Sequence, residues 1–186
     1  MEFVLLGFLM IRALTQYEMK KTLQRKVSPF YSASLGSIQS ALKKLEDGAY
    51  IECRETVERG RRKKVYAIAE PGKQRFMSWM TGPIAPNRLE QEMTTRLFFL
   101  GLMDPPERLA IVRMIADRLE AELREYDAAS AEAAGMAVPD RLRPIADYQL
   151  KTLELGIRLH RSSLDWFKGL REQLEADTND GQNVNL

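Results

Sequence analysis

Residues 34–69 read SLGSIQSALKKLEDGAYIECRETVERGRRKKVYAIA, and this stretch decides the fold. Ile38, Ala41, Leu42 and Leu45 stand at i, i+3, i+4 and i+7, which makes one buried stripe of a helix over about Leu35–Asp47. Gly48 then ends it, as glycine commonly does just past a helix. Two β-favouring runs follow, Tyr50–Glu58 and Lys64–Ala69, either side of a basic tip that contains Gly60. That pattern is a hairpin signal. The helix's other face carries Gly36, Ser40 and Lys43, flanked by Ser34, Ser37, Gln39 and Lys44. Small polar groups near its start suit entry into a major groove, with Gln matching adenine's paired donor and acceptor and the lysines meeting phosphates. Taken alone, the same face is also what any solvated amphipathic helix shows. The tip changes the balance: Arg59, Arg61, Arg62, Lys63 and Lys64 place five cations in six residues. Their mutual repulsion is relieved by a polyanion, and a helix beside a cationic hairpin is the plan of a winged helix.

Working outward, the run Phe3–Ile11 is apolar but only nine residues long, where a membrane span needs about 20. Glu2 precedes it and Arg12 follows, the wrong flanks for a secretion signal. It reads as a buried first helix, Glu2–Ala13, of a cytoplasmic protein. Thr15 and Glu18 have capping-box spacing, so a second helix starts there and runs to about Lys26. SPFYSAS is a loop, and a further helix spans about Pro71–Met80. TGPIAPNR, residues 81–88, is linker chemistry. Beyond it the chain predicts helix only: Leu89–Leu102, Pro105–Ala129 and Leu142–Ala176. The fold class is therefore mainly α: a winged helix-turn-helix domain with a two-stranded β-wing over 1–86, an all-helical domain over 87–176, and a disordered tail over 177–186.

Among 186 residues the net charge is only +2, but the halves differ. Residues 1–86 hold 15 Lys and Arg against 8 Asp and Glu, a net of +7; residues 87–186 hold 13 against 18, a net of −5. Such asymmetry points to nucleic acid as the partner of the basic half. One cysteine, Cys53, and one histidine, His160, exclude an internal disulfide and the common four-ligand Cys/His zinc site. A Ser/His/Asp triad or Cys–His dyad would have to use His160, which lies on an apolar stripe and reads as structural. Cys53 is in phase with Ile51 and reads as buried and inert. No catalytic residue, metal site or cofactor is expected. The competing reading is a non-enzymatic dimeric module whose basic tip binds RNA or an acidic protein.

Three segments together resemble the PadR family of transcriptional regulators: VLLGFLMIRALTQYEMKKTL, FYSASLGSIQSALKKLEDGAYI and RGRRKKVYAIAEPGKQRF. The family's helix entry, Tyr then an acid, is Tyr17–Glu18 here; its recognition helix opens at Gly36–Ser37–Ile38 and continues from Ala41 to Glu46; its wing ends from Gly60 to Tyr66. Two departures stand out. Gln16 replaces the usual Gly before the Tyr, and Gln39–Ser40 replaces the usual Tyr–Pro, which implies a different operator sequence and the same binding mode. The resemblance adds Tyr17 to the expected DNA contacts. It implies a repressor acting on double-stranded DNA, and members commonly respond to small aromatic or drug-like compounds.

LEQEMTTRLFFLGLMDPPERLA is similar to the opening of the helical dimerisation region of the family's longer branch. The residues support self-association independently. Leu109, Val112, Ala116, Leu119, Leu123 and Tyr126 are spaced 3, 4, 3, 4, 3, a coiled-coil seam. Leu153, Ile157, His160, Leu164, Phe167 and Leu174 form a stripe that Leu159, Trp166 and Leu170 broaden, an arc wide enough to need more than one neighbour. A homodimer is expected through Leu109, Val112, Leu119, Leu153, Ile157, Leu164 and Phe167. Phe98, Phe99 and Trp166 read either as core or as the lining of an effector pocket.

Overall fold

The computed structural model describes every residue except 25–33, 59–60, 86 and 184–186, and only the backbone of 58, 61 and 178–183. The chain divides into two compact units, Met1–Asp104 and Pro105–Leu186.

The first unit is built around α1 (Glu2–Ile11), in which Val4 to Leu9 are buried in succession. A helix that is apolar all round has to be enclosed. Enclosing it are α3 (Leu35–Asp47), β3 (Arg61–Ile68) and α4 (Glu70–Thr81), with α5 (Leu89–Phe99) joining through Phe99, whose ring meets Phe8 edge-on at 5.6 Å. The remaining elements are β1 (Leu14–Thr15), α2 (Gln16–Thr22) and β2 (Ile51–Glu58).

The capping box forms as its spacing predicts: Thr15 caps α2, and the Glu18 carboxylate returns to the Thr15 amide at 2.8 Å. Ile38, Ala41, Leu42 and Leu45 are the buried face of α3. Gly48 follows α3, but the left-handed residue is Ala49, at φ 55°. Glycine is required at 48 for room, because a Cβ there would stand 2.5 Å from the Tyr50 ring.

The wing strands pair antiparallel, with Ile51 opposite Ile68, Cys53 opposite Tyr66 and Lys64 opposite Glu55. Arg61, Arg62 and Lys63, which the sequence predicts in the tip, already belong to β3. A third strand, β1, lies on the far side of β3 and gives the order β1-β3-β2. Two residues carry no periodicity, so the sequence could not signal it. Cys53 is half-buried rather than buried, since β2 is an edge strand. Burial raises the pKa of the Tyr66 phenol beside it.

The linker at 81–88 does not end the first compact unit, which runs on through α5. Arg96 supplies the reason. Its side chain is fully buried; it donates to Glu92 at 2.9 Å and to the Gly82 and Pro83 carbonyls at 2.7 and 3.3 Å, and its guanidinium lies over the Trp79 ring. Phe99 adds apolar contact with Phe8, Phe76 and Phe98.

The second unit is a helical hairpin of α6 (Pro105–Ala134) and α7 (Arg143–Asn183). Ion pairs fix the two helices antiparallel: Glu120 with Lys168 at 2.6 Å, Asp127 with Arg161 at 3.6 Å and Arg113 with Glu175 at 2.7 Å. The backbone expected to be a disordered tail from Asp177 continues α7 to Asn183. His160 is buried, as its stripe predicts, with Nε2 3.3 Å from a Glu122 oxygen, Nδ1 3.1 Å from the Gly156 carbonyl and its ring edge-on to Tyr126. Arg118 holds the other Glu122 oxygen at 2.9 Å. Among the described residues no strand follows Ile68, and no helix is long and apolar enough to cross a membrane.

Two substitutions test this packing. Gly7→Ala puts a Cβ 2.5 Å from the Phe99 ring, and overpacking of that kind costs about 1–3 kcal/mol. The urea midpoint should fall with the m-value unchanged. Arg96→Leu leaves the Glu92 carboxylate buried without its cation, and about 3–5 kcal/mol of stability should be lost. Adding Glu92→Leu should restore part of it in the same titration; a double variant no more stable than Arg96→Leu alone would refute the pairing.

Candidate nucleic-acid interface

Ser34 starts α3. Its hydroxyl accepts from the Ser37 amide at 3.1 Å, while the Ser37 hydroxyl donates to the Ser34 carbonyl at 2.8 Å. Ser37, expected at a base edge, and Ser34, expected among the DNA contacts, therefore take part in capping. Gln39, Ser40, Lys43 and Lys44 are exposed along the helix. Lys44 sits on a different side from Gln39. It lies near the Met1 α-amino group, whose pKa is lowered by burial first and by the Arg88 and Lys44 charges after it, against the pull of Glu2.

The start of α2, the start of α3 and the root of the wing enclose a cleft of about 1040 Å³. It brings together four of the sequence-predicted residues: Tyr17, Gln39, Lys63 and Lys64. Tyr17 is 71% exposed. Ser34, Ser37, Ser40, Lys43, Lys44 and Arg62 are not part of the lining. Arg62 is exposed on β3 opposite Val57, itself a largely exposed apolar residue. Arg59 and Gly60 lie outside the described residues, and Arg61 is placed in its backbone only.

The cleft also gathers residues that the sequence did not single out for this role, notably Arg12, Gln16, Lys20, Leu35 and Thr56. The missing signal is β1. By pairing Leu14 with Tyr66 and Thr15 with Val65, it brings the end of α1 and the start of α2 alongside the wing. Of the lining's charged groups, Arg12, Lys20, Lys63 and Lys64 are cations and Glu18 is the acid. Its chemistry suits a phosphate-rich ligand.

The residues expected at a dimer seam are placed differently. Val112, Leu119, Ile157, Leu164 and Phe167 are buried within one chain whose α6 and α7 pack along each other, and Leu109 and Leu153 are half-buried. Exposed along α7 instead are Ile145, Tyr148, Leu155, Leu159 and Trp166. The expected effector-pocket residues belong to both units. Phe99 is core of the first unit, Phe98 is exposed on the same unit, and Trp166 is exposed on the second, packed edge-on against Phe167 at 5.1 Å.

Residues 5–78 match the transcriptional regulator PadR-like family, and residues 91–175 match the virulence activator alpha C-terminal family. The probable transcriptional regulator Rv1176c of Mycobacterium tuberculosis is 25% identical, over 88% of this chain and 92% of its own length. The negative transcriptional regulator PadR of Bacillus subtilis is 23% identical, over 95% and 98%. Among solved structures, Bacillus subtilis PadR in complex with operator DNA is similar, with a TM-score of 0.44 and 20% identity over 93% of this chain and 98% of that one. The PadR-like regulator BC1756 of Bacillus cereus has a TM-score of 0.39 and 22% identity over 95% and 98%. The chain thus carries a PadR-like transcriptional-regulator domain in its first half and a virulence-activator C-terminal region behind it, with relatives aligned along almost its whole length.

Proposed function

We propose that this regulator is a non-enzymatic cytoplasmic repressor that binds double-stranded DNA as a homodimer at a pseudo-palindromic operator and is released by a small molecule. The observation that carries the DNA reading is the cleft that α3 and the wing share, with cations from α2, from β3 and from the turn after α1 on its lining. At 1.5 Å per residue the 13 residues of α3 make a rod of about 20 Å, and a helix of ordinary diameter fits a major groove about 12 Å wide. Gln39 and Ser40 would face base edges, Lys43 the backbone, and the wing cations the flanking phosphates. The Bacillus subtilis relative is a negative transcriptional regulator, which supports repression. Release by a small molecule follows the habit of the family.

Dimerisation is best supported by the exposed residues of α7. Ile145, Tyr148, Leu155, Leu159 and Trp166 are spaced 3, 7, 4 and 7, and Thr152 and Ser162 fill the intervening positions of a heptad seam. A row of exposed large apolar side chains of this length, broken only by Thr152 and Ser162, favours a partner surface, and a second copy presents the matching one. Two such subunits would set their α3 helices in major grooves one turn apart, about 34 Å.

Selection of genomic fragments bound by the purified chain tests the whole reading: a palindromic consensus is expected, and recovery of no duplex would reject it. Against that consensus, Gln39→Ala should relax preference at one base pair by about 1–3 kcal/mol, whereas Lys43→Ala and Arg62→Ala should weaken all sequences alike. Leu155→Glu with Leu159→Glu should give folded monomers in sedimentation with helical circular dichroism retained; a dimer that survives them places the interface elsewhere.

A further inference from the structure

Arg12 ends α1, in extended backbone. Its Nη1 donates to a Glu18 oxygen at 3.2 Å and to the Ala13 carbonyl at 3.4 Å. The other Glu18 oxygen is fully engaged, accepting from the Thr15 amide and from the Thr15 hydroxyl, each at 2.8 Å. Thr15 in turn pairs with Val65 of β3. A chain of contacts therefore runs from the sheet through Thr15 and Glu18 to the Arg12 guanidinium, which lines the same cleft as Gln39 and Lys64.

Stability does not account for this arrangement. The Arg12 side chain is 60% exposed and that of Glu18 39%, and exposed pairs of this kind contribute about 0–1 kcal/mol. What the geometry does supply is aim. The Thr15 amide, first among the causes, holds the Glu18 carboxyl below its ordinary pKa, so it stays charged and grips Nη1. Among the described residues the partners of Arg12 are all reached through Nη1. That leaves the Nε and Nη2 side of the guanidinium to a ligand, and the flat fork matches a phosphate.

We propose that Arg12 is a phosphate contact of the DNA interface and that Glu18 is the residue that positions it. This rests on the DNA reading above and extends the contact surface to α1, beyond the recognition helix and the wing. The backbone contact carries no sequence information.

The test is a salt titration of full-length protein on two duplexes, the selected consensus and a random sequence, followed by fluorescence anisotropy from 50 to 200 mM salt. Arg12→Ala is expected to weaken both duplexes by the same factor and to make the slope of log K against log salt shallower by about 0.9 for each phosphate no longer neutralised. Arg12→Lys, which keeps a point charge, should retain most of the slope. Glu18→Gln should weaken binding, and the double variant Arg12→Ala with Glu18→Gln should be no weaker than Arg12→Ala alone, because the two act as one unit. Should Glu18→Gln fail to fold, the Arg12→Ala and Arg12→Lys pair decides. An unchanged slope for Arg12→Ala, or a loss confined to the consensus duplex, overturns the assignment while leaving the DNA reading in place. Wild-type protein that binds neither duplex overturns the reading itself.

Discussion

The first unit depends on one constraint: α1 has no polar side. Six successive residues, Val4 to Leu9, are buried. The free energy of removing apolar surface from water has no direction of its own, so a helix of this kind can only be surrounded. Direction comes from the shapes pressed against it. Gly7 admits the Phe99 ring from α5, and Phe76 of α4 meets the same ring edge-on at 5.7 Å. The helix of the candidate interface and the wing are thereby fixed to one post. Their mutual geometry follows from packing on α1, though neither needs to be rigid alone; a two-stranded hairpin by itself is marginal.

Much of this was legible because each element announces itself locally. The stripe from Ile38 to Leu45 and the capping box at Thr15 and Glu18 fall within single helices, where the periodicity and the end chemistry are written in adjacent residues. The division of the chain was less legible. Prolines and glycine at 81–88 read as a linker, yet the carbonyls of Gly82 and Pro83 are bound by Arg96. A cation inside a core is the opposite of what its residue type implies, and its burial requires the carboxylate, carbonyls and indole that surround it. No spacing rule reports such a set. His160 was easier, since one polar residue on an apolar stripe has to find partners, and Glu122 and Gly156 are those partners.

The site divides in the same way. Charge density marked the wing, and the polar face marked α3. Arg12 went unnoticed because its place depends on β1, whose two residues contribute a pairing visible only in three dimensions. On the helical side, periodicity identified which residues are apolar and in phase, but two seams run along α7, and phase alone does not say which of them its own hairpin uses. The chain assigned Ile157, Leu164 and Phe167 to itself and left Leu155, Leu159 and Trp166 outside.

A hairpin closed by heptad repeats faces an ambiguity of alignment: sliding one helix by seven residues would again set apolar side chains against apolar side chains. The charges along its margins break that degeneracy. In the native alignment Arg113, Glu120 and Asp127 each face an opposite charge. A slide in one sense would bring Arg113 to Lys168 and Asp127 to Glu154; in the other, Glu120 would meet Glu175. Either slide would also part Glu122 from His160 and leave the buried carboxylate with Arg118 as its partner, one contact poorer. Each exposed pair contributes little to stability, yet together with that buried contact they act as a vernier, and the second seam of α7 is presented at one height instead of several.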